Sequence, residues 1–493
     1  MTPEPTLASD IHQYDDIADV VIIGFGIAGA CAALEARREN ADVLVLERAS
    51  GGGGASALSA GIFYFGGGTS VQHAVGIEDS PDEMYKFLMA STGAPDAKLV
   101  RRYCDESVAH FDWLEAQGIP FKRSYYKDKS VVAPTDDCLA STGNEKVWPY
   151  ADIAKPAPRG HKVAQEGNGG GALAMNALVA KCESEGVRIS NDTRVTTLIR
   201  DEASRIVGVT AKRDGDLITI RARRGVILAA GGFGMNKAYV ETWCPDFPST
   251  GVEPIGIPNN DGSALDLGLS VGAATQAMSG TIATASFYPP AKLIKGILIN
   301  QRGERFVAED AYHGRTAEFI AEQPGGIAYL ILDNETFDYP ENARAAHRLV
   351  DGFESVQEME AALELPEGSL VSTLRVYNAS ARDGQDSLYH KHADWVQPLV
   401  HAPFAAFEVG YNNSLYHFLT LGGIQTNAEA EVLDTQGQVI PGFYAAGACA
   451  SSIPQDGKGY ASGLSLGPGS YFGRVAGKNA ARSLKNSRLT TST

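Results

Sequence analysis

With 493 residues the chain exceeds one ordinary core, so two or more domains are expected. Forty-two basic against fifty-nine acidic residues leave a net charge of −17, which argues against nucleic acid or an anionic membrane surface as a partner. Six scattered cysteines without a CxxC pair argue against a zinc ribbon, iron–sulfur cluster or redox dithiol. With no apolar signal segment and no run of about twenty apolar residues, they favour free thiols, a cytoplasmic location and no membrane span.

An apolar run at 20–23 suits a buried parallel strand. It leads into Gly24-x-Gly26-x-x-Gly29, a helical pattern with Ala28, Ala32, Ala33 and Ala36, and a second apolar strand at 43–46 that ends at Glu47. The glycines permit a tight turn, close approach of backbone to a pyrophosphate, and close helix–strand packing; the acid suits a ribose hydroxyl. This unit predicts a nucleotide site without choosing between NAD and FAD. The glycine-rich stretch 48–70 is interrupted by Leu58, Ile62, Phe63, Tyr64 and Phe65. It therefore reads as backbone pressed against a flat ring system and its ribityl chain, not as a flexible linker.

Residues 120–165 are polar and rich in Pro and Tyr, an excursion near a substrate entrance with Tyr125 and Tyr126 as weak candidates for lining it. Alternation at 195–199 and 206–210 predicts antiparallel strands. A strand at 226–230 runs into Gly231-Gly232, and 259–273 reads as a turn then a helix, with Asp261 at the cap. From about 286 to 410 the character changes to "NQRGERFVAED" and the helical patterns "SVQEMEAALEL" and "SLVSTLRVYNASARDG". "LYHFLTLGGIQT" and a strand at 443–446 ending at Gly447 return to the first pattern. Last come a glycine-flanked turn, Gly459-Tyr460-Ala461-Ser462-Gly463, a helix, and a short polar end. Between Gly459 and Ser470 there is no Arg, Lys or His, and the reactive groups are the hydroxyls of Tyr460, Ser462 and Ser465.

In this order and over most of its length the chain resembles the FAD-dependent fumarate reductase / 3-ketosteroid dehydrogenase superfamily. The resemblance is carried by the three glycines, Glu47, the loop 56–61, residues 229–233, Leu421-Gly422-Gly423 and residues 444–447. It implies an α/β fold: a Rossmann-like FAD-binding domain of glutathione-reductase type at 1–285 and 411–493, with an inserted α+β substrate-capping domain at 286–410. It implies FAD contacts at Gly24, Gly26, Ile27, Ala28, Gly29, Glu47 and Arg48, and in the following loop at Ser56, Ser59, Ala60 and Gly61. Further contacts are implied at Val195, Ala230, Gly231, Gly232, Asp261, Gly447 and Ala448, and around the final turn at Gly463, Leu464, Ser465 and Leu466. Residues 51–70 hold no His, so the flavin is expected to be non-covalent. Ala448 stands where many relatives carry a Glu that meets the ribityl chain, which leaves that contact to the backbone.

A dicarboxylate substrate demands fixed positive charge, best from Arg. Where fumarate-reductase-like members carry a His, this chain has Phe418; where they carry a Gly-Asn-Arg turn, it has Tyr460-Ala461-Ser462-Gly463. Ketosteroid dehydrogenases are similar in placing a catalytic tyrosine at the position of Tyr312 and a Tyr–Ala–Gly element at the final turn. Desaturating a carbon–carbon bond beside a ketone needs a base for the α-proton, donors for the carbonyl and a flavin acceptor. The expectation is therefore 4,5-desaturation of 5α-3-ketosteroids, with an external electron acceptor and no metal. Tyr460, relayed through Ser462, is the expected proton acceptor, Tyr312 the supporting hydroxyl, and Phe418 and Gly463 the substrate contacts. A phenol with a pKa of about 10 is a poor base near neutrality; a second hydroxyl and a helix N-terminus are expected to lower it. Three alternatives stand beside this: 1,2-desaturation of the same class, reduction of an unsaturated carboxylate, and a flavin-binding module without catalysis. Arg302 and Arg305 read as ion pairs of the capping domain, and His161, His313 and His417 as satisfying local structure.

Overall fold

The apolar run at 20–23 forms the end of the strand Asp16–Ile23, part of a nine-stranded mixed sheet. A computed structural model describes residues 4–93, 96–284, 286–341 and 347–483; the boundary placed at 285 and the polar end beyond 483 lie outside the described residues. Asp16–Ile23 pairs in parallel with Val43–Leu46 on one side and Asp216–Leu228 on the other. Val43–Leu46 in turn pairs with Arg188–Ser190, and the far end of Asp216–Leu228 pairs in parallel with Val439–Ala445. The alternating stretches become Thr193–Arg200 and Ile206–Arg213, paired antiparallel as their patterning requires. The two strands placed at 226–230 and 443–446 end one or two residues early, at Leu228 and Ala445.

Both faces of Val43–Leu46 and of the end of Asp16–Ile23 are buried, which is why these central parallel strands are continuously apolar. Val20, Ile22, Val43 and Val45 point into one core with the helix Ile27–Arg38, whereas Val21, Ile23, Leu44 and Leu46 point into another with the helix Ser263–Ser270. The first helix packs on the last, Leu466–Arg482. Their axes approach closely because each contact is made by small residues. A Cβ on Gly473 would lie 2.8 Å from Ala28 Cα, and one on Gly477 2.8 Å from Ala32 C. The glycine spacing of the C-terminal segment is thus a packing requirement.

Residues 120–165 add the strands Leu139–Ala140 and Gly160–Lys162, which join Ile62–Tyr64 in a small sheet. Beneath it Arg159 is fully buried, its Nη2 donating to Asp79 Oδ1 at 2.8 Å. A four-stranded antiparallel sheet, ordered Ile297–Asn300, Ala328–Leu332, Phe404–Glu408, Arg348–Phe353, stands apart from the large sheet. With the helices Val356–Ala362 and Ser369–Ala381 it encloses a core of its own around Ile297, Ile299, Met359 and Leu374. The chain leaves toward it from Thr281–Thr284 and returns along Tyr416–Thr420, and these two strands pair antiparallel.

Arg305 is an ion-pair residue, as its sequence context suggested. Its guanidinium binds Glu309 at 2.8 Å and Asp386 at 2.9 Å, and Lys391 adds a second cation 2.9 Å from Glu309. Burial pushes the Glu309 carboxyl upward, but Arg305 and Lys391 hold it below its ordinary range. All six cysteines are buried and unbridged. Among the described residues no helix is long and apolar enough to cross a membrane, and no cluster of His, Cys, Asp or Glu could hold a metal ion.

Candidate functional site

A cleft opens where the parallel strands end at Ile23, Leu46 and Leu228, the edge at which such sheets bind ligands. Gly24, Gly26, Ile27 and Ala28 form its floor. Gly24 has φ +99°, and a Cβ there would lie 2.5 Å from Ala229 O, so only glycine lets the strand turn beneath the helix. Gly29 lies behind the floor, where any Cβ would overlap Gly24 O. Ala28 and Gly29 are in the first turn, where backbone N–H groups have no intrahelical acceptor and suit an anion. The Ile27 N–H donates to Ser56 Oγ at 3.1 Å, which docks the 56–61 loop on the helix start.

Glu47 is buried on the cleft wall, its oxygens accepting the N–H groups of Phe25 and Ala49 at 2.8 Å each. Each carboxylate oxygen keeps a further lone pair for a ribose hydroxyl. Arg48 also lines the cleft and is paired with Asp261 at 2.7 Å. Val195, Ala230, Gly231, Gly447 and Ala448 complete the expected lining.

Several expected contacts sit elsewhere. Ser59, Ala60 and Gly61 do not line this cleft: Ser59 Oγ donates to Ser56 O at 2.7 Å and accepts from Gly61 N, fixing the loop itself. Gly232 packs under Ala448 O and Thr420. The cap of Ser263–Ser270 is Gly262, not Asp261; the αL backbone at that position favours glycine, and Asp261 instead accepts the Ser263 N–H at 3.0 Å. Sequence reasoning missed Asn260, whose side-chain nitrogen a Cβ on Gly231 would overlap and whose Oδ1 accepts from Ile257 N at 3.0 Å. The available signal was the polar Asn259-Asn260-Asp261-Gly262 turn ahead of an apolar helix.

The glycine-flanked turn forms a second constellation. A Cβ on Gly463, at φ +104°, would lie 2.5 Å from Tyr64 N, whose N–H donates to Gly463 O at 3.2 Å. Among the described residues no acceptor meets the Gly463 N–H. Leu464 and Leu466 are buried, and Ser465 is the exposed cap residue of the final helix. Four hydroxyls then pair up: Tyr312 with Ser462 at 2.8 Å and Tyr460 with Ser465 at 2.8 Å, the two phenol rings 6.3 Å apart. The expected relay from Tyr460 through Ser462 is therefore corrected. Ser462 is turned to Tyr312 by two bonds to Thr142, and Ser465, three residues further along the chain, serves Tyr460.

A second correction concerns acidity. Burial pushes both phenols above their ordinary value, and the bonds from Ser462 and Ser465 pull back only in part. Both are neutral donors at physiological pH. Among the described residues no Lys, Arg or His is bonded to any of the four hydroxyls. His313 lies tilted against Tyr312 with ring centroids 4.0 Å apart, and burial drives it down to about 3, so it stays uncharged. His161 is held by Thr69 and the Arg159 carbonyl, and Tyr125 bridges to Leu139. Phe418 is buried against Phe247, centroids 4.8 Å apart.

Residues 19–459 match the FAD binding domain family. The chain belongs to that family. Glycines that no Cβ could replace, free first-turn amides and a buried acid at the strand ends fit the dinucleotide half of this cofactor, and the flavoprotein is an oxidoreductase that uses FAD. It is similar, at 40% identity and a TM-score of 0.91, to the crystal structure of 3-ketosteroid-Δ4-(5α)-dehydrogenase from Rhodococcus jostii RHA1 in complex with 4-androstene-3,17-dione, with 97% of this chain and 99% of that one covered. It is 28% identical to the 3-oxo-5-alpha-steroid 4-dehydrogenase of Comamonas testosteroni, over 89% of this chain and 94% of that protein. At 20% identity it shares the fold of the 3-ketosteroid Δ1-dehydrogenase of Sterolibacterium denitrificans, with a TM-score of 0.71 over 95% of this chain and all of that one.

Proposed function

We propose that this flavoprotein is a 3-ketosteroid Δ4-(5α)-dehydrogenase, which converts a 5α-saturated 3-ketosteroid to the 4-ene-3-ketone and passes the electrons to an external acceptor. The observation that carries the reading is the pair of tyrosine–serine hydrogen bonds, without a cation among the described residues, at the glycine-flanked turn before the final helix. The likeness to the Rhodococcus enzyme over nearly the whole of both chains supports it.

Non-covalently bound FAD supplies the two-electron acceptor for the hydrogen that leaves C5. Gly24, Gly26, Ile27, Ala28 and Glu47 would hold its dinucleotide half at the strand ends, and the turn at Gly463 to Leu466 would contact its ring system. The free Gly463 N–H and the Tyr312 phenol donate to the C3 carbonyl and acidify the proton on C4. A neutral Tyr460 cannot act as a preformed phenolate. It accepts the C4 proton while its own phenolic proton moves to Ser465 Oγ and the Ser465 hydroxyl proton passes to water, so charge accumulates on neither group. Ser462 orients the Tyr312 hydroxyl during this step.

Phe418 supplies an apolar wall where a carboxylate would need a cation. Residues 1–285 and 411–493 act as one Rossmann-like FAD-binding domain, and 286–410 as the inserted domain that caps the substrate; the separate sheet and core of that segment support the division. The unbridged cysteines support a cytoplasmic setting. Turnover assays with an artificial electron acceptor test the function. A 5α-saturated 3-ketosteroid should be consumed with formation of the 4-ene, whereas turnover confined to an unsaturated carboxylate would overturn it.

A further inference from the structure

The loop 142–145, from the Pro- and Tyr-rich excursion, is hydrogen-bonded to both members of the Tyr312–Ser462 pair. Asn144 Oδ1 accepts the backbone N–H of Tyr312 at 2.8 Å, and its Nδ2 donates to Lys458 O at 3.4 Å. The Thr142 carbonyl accepts the Ser462 N–H at 2.8 Å, and Thr142 Oγ1 donates to the Ser462 carbonyl at 2.9 Å. Between them a Cβ on Gly143 would lie 2.6 Å from Ala461 Cβ. The loop is anchored from below. The Gly143 N–H donates to Glu145 Oε2 at 3.1 Å, and Glu145 Oε1 accepts from Tyr64 Oη at 3.0 Å. Tyr64 is also the residue whose N–H holds the Gly463 carbonyl. Asn144 and Glu145 are each about 1% exposed, so solvent offers these groups no competing partner.

Tyr312 and Ser462 stand on segments 150 residues apart, and their hydroxyls meet at 2.8 Å. Tyr312 precedes the helix His313–Ala321, and its amide is held by a side chain of neither segment. Ser462 lies in a turn whose backbone is bonded on both sides by one residue, Thr142. We infer that Asn144 and Thr142 are positioning residues: a tether from a third segment that sets the separation of the Tyr312 and Ser462 hydroxyls and the placement of the Gly463 N–H beside them. This rests on the ketosteroid reading above. It assigns a role to an excursion whose composition pointed only to a substrate entrance.

The test compares Asn144→Leu, Thr142→Val and Thr142→Ser with the unaltered holoenzyme. Steady-state kinetics use a 5α-saturated 3-ketosteroid, and amide hydrogen exchange is read over 308–316 and 456–464. Because displacing a reacting group by about 1 Å costs on the order of a hundredfold, Asn144→Leu and Thr142→Val should lower kcat by roughly ten- to a hundredfold with KM changed less than about threefold. Thr142→Ser, which keeps the hydroxyl, should restore kcat to within about threefold of the original. Flavin content should be unchanged, and exchange should quicken at both segments and not in the large sheet. Unaltered kcat and exchange in Asn144→Leu and Thr142→Val would overturn the inference; so would equal losses in Thr142→Val and Thr142→Ser. If the unaltered enzyme fails to turn over the ketosteroid, the substrate reading falls, and the exchange data still decide whether the tether exists.

Discussion

The phenol oxygen of Tyr312 lies 2.8 Å from Ser462 Oγ, while Tyr460, whose ring centroid is 6.3 Å from that of Tyr312, bonds to a different serine, Ser465. On the proposed reading, these two separate hydroxyl pairs divide the labour that desaturation beside a ketone requires. Ser465 is exposed and suits passing a proton outward, whereas Ser462 is half-buried and suits orienting a donor.

Replacing Tyr460 by Phe removes the proposed proton acceptor but no packing volume of consequence. Turnover of a 5α-3-ketosteroid should fall by roughly 10²- to 10⁴-fold, the range for loss of an acid–base group. The visible flavin absorbance should stay intact. Near-normal turnover in Tyr460→Phe would remove Tyr460 from the mechanism.

Ser462→Ala should act through Tyr312. The bond from Ser462 is what holds the Tyr312 phenol down against burial and the neighbouring Tyr460. Its loss stabilises the protonated form, so any alkaline limb of kcat that reports Tyr312 moves to higher pH. A pH–rate profile that moves to lower pH, or does not move, would contradict the pairing.

Gly24→Ala should abolish cofactor retention. The added Cβ meets Ala229 O at 2.5 Å in a backbone conformation that L side chains rarely adopt. The flavin-to-protein ratio of the purified variant measures this directly, and a full complement of flavin would show that the floor of the cleft can yield.

Glu318 predicts a pH dependence of stability. Burial raises its carboxyl to about 7, with Asp456 adding in the same direction, and its Oε1 has no hydrogen-bond partner among the described residues. The folded protein therefore keeps this proton up to about 7, while the unfolded chain loses it near 4.5. Between those values the folded state binds more protons, so this contribution to stability is present below 4.5 and is lost as pH rises through about 7. Glu318→Gln should raise the melting temperature above neutral pH and flatten its slope across that window. An unchanged slope would assign the carboxyl to solvent.

Much of the fold was legible because it rests on local rules. The strand Val43–Leu46 and the helix after Gly26 follow from apolar runs and glycine spacing, and the antiparallel strands from period-two alternation. The candidate hydroxyls were legible as residue types, since a turn without cations states what it does not bind. Their pairing was not. Ser462 faces Tyr312 because Thr142, 320 residues earlier, bonds its backbone on both sides, and no pattern near Tyr460 encodes that contact. The direction of the phenol shifts was hidden for the same reason: burial depends on neighbours from the excursion and the inserted segment, and it outweighs a local hydrogen bond. Asn260 and Asn144 are single polar residues in loops, where function concentrates but periodicity gives no mark.

The most direct measurement is an anaerobic titration of the oxidised holoenzyme with a 5α-saturated 3-ketosteroid, with flavin absorbance and product followed together. The account predicts loss of the visible band in proportion to substrate added, one equivalent of 4-ene-3-ketone per flavin, and a loss slower by roughly a hundredfold or more in Tyr460→Phe. Formation of the 1-ene instead, or a flavin that the saturated ketosteroid leaves oxidised, would contradict it.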